Sequence, residues 1–138
     1  MTIKISIDMV CYYVMQMMSG WFNHHDLSAD SLDEYEECVL EMKKHLTDCD
    51  DEKFAQLAFA SLIESEDVSS EIWEAIEGAM NYPFEDREIQ DILKYAYSVI
   101  WSDLSPEKAI DGYEIDFIKT GISIRNWISV RDELNPSF

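Results

Sequence analysis

Residues 9–18 read MVCYYVMQMM, and Gln16 is the single polar side chain among them if the tyrosines are counted with the apolar residues. A surface helix carries an apolar stripe, whereas a segment that is apolar all round has to be covered on every side. The run continues past Ser19 and Gly20 to Trp21 and Phe22. Residues 9–22 are therefore expected to form a buried N-terminal helix against which the other elements pack. The run is shorter than the roughly 20 apolar residues that a bilayer-spanning helix requires.

The remaining segments supply the amphipathic partners such a helix needs. Residues 2–6, TIKIS, alternate as a short strand does, and Ser6 or Asp8 stands where the first helix would be capped. That helix is expected to fray at Ser19 and Gly20 or shortly after, with residues 24–28 as a loop. Ser31 and Glu34 have capping-box spacing, and Tyr35, Cys38, Val39, Met42 and Leu46 then form one apolar stripe at helical period. Lys43, Lys44 and His45 fall in that helix's last turns, where positive charge suits the helix dipole. A third helix presents Phe54, Leu57, Ala58, Leu62 and Ile63. A fourth, capped by Ser69 or Ser70, presents Ile72, Trp73, Ile76 and Met80. It ends at Asn81–Tyr82–Pro83, because the residue before proline is driven out of the helical region. Asp86 is the expected cap of a fifth helix striped with Ile89, Ile92, Leu93, Ala96 and Ile100. Ser105–Pro106 starts another, with proline at the first helical position. Residues 113–117 alternate and are compatible with strand or helix. The last helix turns Ile124, Trp127, Ile128 and Leu134 inward.

The expected fold is all-α: a single-domain bundle of six or seven helices spanning residues 1–138, with at most one short strand pair, between 2–6 and 113–117. A chain of 138 residues suits one domain with a core that needs neither disulfides nor metal. The three cysteines, Cys11, Cys38 and Cys49, are odd in number and lack paired spacing, which fits free thiols in a reducing compartment. The opening MTIKISID lacks the basic start, apolar middle and small-residue cleavage site of a signal peptide. A cytoplasmic location is expected.

Charge narrows the class of partner. The formal net charge is −19, and residues 26–86 hold 19 of the acids against three bases. Such a field repels nucleic acid and anionic membranes and attracts basic surfaces. Within this block Glu34, Glu37 and Glu41 share the spacing of one helix face, flanked by Asp33 and Glu36, and Asp50, Asp51 and Glu52 follow. Carboxylates a helical turn apart rise about 5–6 Å along the axis, so a rigid row of them approximates a row of phosphates. A solvated acidic face is also very common on soluble proteins.

Other chemistry is poorly served. Asp26, Ser28, Asp30, Glu34 and Glu37 match the ligand spacing of a calcium loop, but Ser31 stands where that loop needs glycine and Asp33 where it needs an apolar residue. His24, His25 and Asp26, or His45 with Cys49, provide no second pair at zinc-ligand spacing. Cys11 and Cys38 lie on apolar faces, which suits inert packing. The methionines of the first helix suit core better than a soft docking groove. There is no glycine-rich phosphate loop, no GxSxG and no HExxH. No cofactor or metal is expected, and an enzyme is the least favoured class.

In composition alone the chain is similar in kind to immunity proteins that neutralise nuclease toxins and to phage inhibitors of DNA-handling defence enzymes. The leading expectation is a protein inhibitor. Asp33, Glu34, Glu36, Glu37, Glu41, Asp50, Asp51 and Glu52 would occupy the basic nucleic-acid site of a partner, a nuclease or other nucleic-acid-handling enzyme, with tyrosine or tryptophan anchors. Direct contact with nucleic acid or membrane is not expected. The alternatives are a helical adaptor that binds through an apolar groove and a calcium-binding helical protein.

Overall fold

The computed structural model describes residues 1–25, 32–64, 68, 70–79, 85–119 and 123–138, of which 19–25, 32 and 86 as backbone only. Seven α-helices and one two-stranded parallel sheet make up these residues. In chain order they are β1 (Thr2–Ser6), α1 (Ile7–His25), a 3₁₀ turn (Leu32–Tyr35), α2 (Glu36–Asp48), α3 (Glu52–Glu64), α4 (Ser70–Gly78), α5 (Asp86–Ile100), α6 (Pro106–Ala109), β2 (Glu114–Ile118) and α7 (Ile124–Leu134). The fold is the expected helical bundle with a short strand pair.

The apolar run of α1 lies at its centre. Met9, Val10, Tyr13, Val14 and Met17 are fully buried, and α1 packs against α2, α3, α4, α5 and α7. Tyr12, Met15 and Gln16 are half-buried. The helix runs on through Gly20 to His25, beyond the expected fraying point. One glycine costs about 1 kcal/mol in a helix interior, which a long, already nucleated helix absorbs. Helix α3 is buried almost as completely, from Phe54 to Leu62 except at Gln56. Its alanines let α5 and α6 approach closely.

The amphipathic stripes fall where the periodicity puts them. Val39, Met42 and Leu46 of α2 are buried, as are Ile89, Ile92, Leu93, Ala96 and Ile100 of α5 and Trp127 of α7. Trp73 of α4 is only half-buried. The two strands pair in parallel with Thr2 opposite Glu114 and Ser6 opposite Ile118, so β2 lies one residue later than the alternation at 113–117 suggests. Gly112, at φ +82°, makes the turn into β2, a conformation that a side chain would strain.

Two helix starts differ from the sequence reading. Residues 32–35 wind as a tighter 3₁₀ turn and α2 begins at Glu36, with Tyr35 rather than Ser31 at its N-cap; Ser31 lies outside the described residues. The cap of α5 is Glu85, not Asp86. Its side chain accepts from the backbone of Glu88, whose Oε1 accepts from Glu85 N at 3.3 Å, a reciprocal box built from two glutamates. Ser105 and Ser123 cap α6 and α7 through side-chain bonds to Lys108 N and Asn126 N. Ser69, Met80, Asn81, Tyr82, Pro83 and Gly121 lie outside the described residues.

Candidate functional site: an acidic face on the second helix

The buried stripe of Val39, Met42 and Leu46 fixes the orientation of α2, and Tyr35, also buried, pins the 3₁₀ turn before it. Everything on the opposite side is thereby held toward solvent. Asp33, Glu34, Glu36, Glu37 and Glu41 are all exposed. Glu37 and Glu41 lie one turn apart on the same helix, whereas Glu34 belongs to the 3₁₀ turn and so leaves the straight row of three that the spacing suggests. Glu36, Glu37 and Glu41 have no ion-pair partner among the described residues. Between them Leu40 is 47% exposed, and with Lys44 these residues line a shallow depression.

Two neighbouring side chains register the field of this face. Burial raises the Tyr95 phenol above its ordinary range, and Glu36 and Asp33 raise it further. Burial likewise raises the Cys38 thiol, helped by Glu41 and Glu37. The carboxylates therefore stand over α5 as well as along α2. Tyr95, half-buried under them, lies off the apolar stripe of α5, so helical period does not single it out.

The second group of candidates divides. Asp50 is exposed, with φ +53°. It ends α2 by a Schellman arrangement, in which Asp51 N donates to Leu46 O at 2.9 Å and Asp50 N to Thr47 O at 3.2 Å. Glu52 is half-buried, and its Oε1 accepts from Trp101 Nε1 at 3.1 Å. Asp51 is fully buried and is not a surface contact. Its carboxylate accepts from Tyr13 Oη at 2.9 Å, Trp127 Nε1 at 3.1 Å and Arg131 Nη1 at 2.7 Å. Arg131 Nη2 also donates to Cys49 O at 3.0 Å. Burial pushes the Asp51 carboxyl up, and the three donors with the Arg131 charge pull it back. One carboxylate thus ties α1, the end of α2, the start of α3 and α7 together.

The remaining candidates stay apart. His45 Nδ1 lies 3.4 Å from Gln16 Nε2, and the Cys49 thiol is half-buried. Burial holds the Cys11 thiol at about 11, with Asp8 adding to the shift, which leaves it protonated and inert near neutral pH. No group of three histidine, cysteine, aspartate or glutamate side chains among the described residues is placed to hold a metal ion. Asp26, Ser28 and Asp30 of the calcium-like spacing, and the side chains of His24 and His25, fall outside the described set. A cleft of about 270 Å³ opens elsewhere, lined by apolar Ile63, Tyr97, Trp101, Leu104 and Pro106 with Lys94 at its edge. No described helix is long and apolar enough to cross a membrane. Comparison of the chain with protein-family models, with curated proteins and with solved structures yields no match.

Proposed function

We propose that the chain is an acidic protein inhibitor, whose face on the 3₁₀ turn and α2 covers the basic, nucleic-acid-binding site of a partner enzyme. The carrying observation is that Glu36, Glu37 and Glu41 are exposed on a rigid helix, unpaired among the described residues, around a solvent-facing Leu40. Unneutralised carboxylates on a helix attract a basic cleft over a distance, and their backbone is already ordered before contact. A central apolar side chain ringed by charge supplies the desolvated anchor that a purely electrostatic surface lacks. The contact set under this reading is Asp33, Glu34, Glu36, Glu37 and Glu41 with Leu40. Asp50 stands at the far end of α2, and Asp51 and Glu52 belong to the interior contacts. Immunity to a nuclease toxin and inhibition of a DNA-handling defence enzyme both fit this surface.

The test is capture of the partner from the source cell, followed by association kinetics over a salt series. Wild type should associate fast, with rates falling as salt rises. Reversing Glu36, Glu37 and Glu41 to lysine should slow association by orders of magnitude, and Leu40→Ala should mainly speed dissociation. A charge-reversed protein that binds like wild type would remove the acidic face from the mechanism. The adaptor reading would then gain the support of the apolar cleft beside Trp101 and Leu104.

A further inference from the structure

The two outer edges of the β1–β2 sheet are finished differently. On the β1 side, Lys4 N donates to Asn135 Oδ1 at 2.8 Å and Asn135 Nδ2 donates to Lys4 O at 2.9 Å. A buried asparagine thus stands in for a neighbouring strand. Between the strands, Glu114 N donates to Met1 O. Alternate residues of a parallel ladder face the same neighbour, so Glu114, Asp116 and Ile118 face β1. Ile115 and Phe117 direct their backbone N–H and C=O away from it, and those groups meet no hydrogen-bonding partner among the described residues. A two-stranded sheet whose outer edge is unpaired among the described residues offers a template for a third strand.

Side chains along this edge define what would fit. Glu114 and Asp116 are exposed on the solvent face, while Ile115 and Phe117 are half-buried on the inner one. Phe117 lines a cleft of about 270 Å³ together with Ile7, Ile72 and the ion-paired Glu71 and Lys119. A second copy of the chain would set Glu114 and Asp116 against their own kind, within two molecules of net charge −19 each. We propose that the β2 edge accepts an extended segment of a partner protein in which basic residues alternate with apolar ones. The basic side chains lie beside Glu114 and Asp116, the apolar ones beside Ile115 and Phe117, with one entering the cleft. The pairing is strand addition and does not rest on the acidic face of α2.

The probe is the heptapeptide Lys-Val-Lys-Val-Lys-Val-Lys, titrated into the full chain at physiological salt with amide hydrogen exchange as readout. Its controls are the same peptide with every amide nitrogen methylated, which keeps the charge and removes the donors, and a Glu-Val heptapeptide. The expected result is slowed exchange at Ile115 and Phe117, with binding weakened tenfold or more by methylation and abolished in the Glu-Val peptide. Ile115→Pro removes an outward N–H and leaves the β1 ladder intact, so it should weaken binding as much. Equal binding of the methylated peptide, or unchanged exchange at Ile115 and Phe117, would overturn the proposal by reducing the attraction to net charge. So would a failure of the lysine peptide to bind at all, or a concentration-dependent dimer of the chain that Ile115→Pro abolishes.

Discussion

Two runs of acidic residues lie close together in this chain and come to opposite ends. Glu36, Glu37 and Glu41 are all exposed, because Val39, Met42 and Leu46 claim the inner side of α2. Asp50, Asp51 and Glu52 occupy a helix junction, where the chain reverses and no face is shared. One is exposed in a left-handed turn, one is fully buried and one is half-buried against Trp101. A helix sorts its charges by period, whereas a junction sorts them by what stands opposite. For Asp51 that is Tyr13, Trp127 and Arg131. The first run is available to a partner and the second holds the molecule together.

The sharpest way to break this contrast is to remove one acid from each run. Asp51→Ala leaves the Arg131 guanidinium buried without its counter-charge and should cost about 3–5 kcal/mol. Glu37→Ala should stay within about 0.5 kcal/mol, as exposed substitutions do. Urea unfolding of the two variants measures both, and comparable losses would show that the junction is no more structural than the helix face. Joining Arg131→Met to Asp51→Ala should recover much of the loss, since the penalty is that of an orphaned charge and such pairs are not additive.

Next in size is the contrast between two tryptophans. Trp127 is fully buried and donates to Asp51, so Trp127→Ala should cost about 3–5 kcal/mol. Trp73, half-buried on α4, should cost roughly half as much, in proportion to the apolar area it removes from water. Equal midpoint shifts in thermal unfolding would place Trp73 deeper than its exposure indicates.

Asp50 offers a change of opposite sign. Its φ of +53° is a left-handed conformation that glycine adopts without strain. Asp50→Gly should therefore stabilise the protein by about 0.5–1 kcal/mol, helped by the loss of a negative charge at the carbonyl end of α2. A loss of stability on thermal unfolding would show that the Asp50 carboxylate contributes something the geometry does not contain.

These contrasts mark what the sequence makes legible. Stripes such as Ile89–Ile92–Leu93–Ala96–Ile100 are local patterns, and each falls inward as its period requires. The exposure of Glu37 and Glu41 follows from the same rule, read in reverse. Asp51 is different. It lies beside Asp50 and Glu52 in the sequence, and its counter-charge, Arg131, is 80 residues away; nothing local separates it from its neighbours. Trp127 and Arg131 are four residues apart, so both come from one face of α7, and an arginine on the buried face of a terminal helix is the signal that such a pairing exists. The asparagine that finishes β1 is equally non-local, since Asn135 and Lys4 stand at opposite ends of the chain. Trp73 packs against the core as its position on the stripe predicts, but only half-buried, because helical period gives the direction of a side chain and not the depth of cover above it.

The smallest expected effect tests the field of the acidic face without any partner. Cys38 lies half-buried on α2, its thiol raised first by burial and then by Glu41 and Glu37. A raised thiol holds its proton and reacts slowly, because the thiolate is the nucleophile. Replacing Glu37 and Glu41 by lysine removes the charge contribution and leaves the burial, so Cys38 should be alkylated by iodoacetamide severalfold faster at pH 8, read by peptide mass. Added salt should move wild type the same way by less, since partly buried pairs are incompletely screened. Cys11 provides the internal reference. It is buried under α4, its thiol near Ala75 O and its proton held to about 11 chiefly by desolvation, and neither change should alter its rate. If Cys38 and Cys11 accelerate together, the reversal has loosened the bundle. If neither moves, the carboxylates of α2 project away from their own helix and their field at the surface is weaker than an inhibitor of a basic site requires.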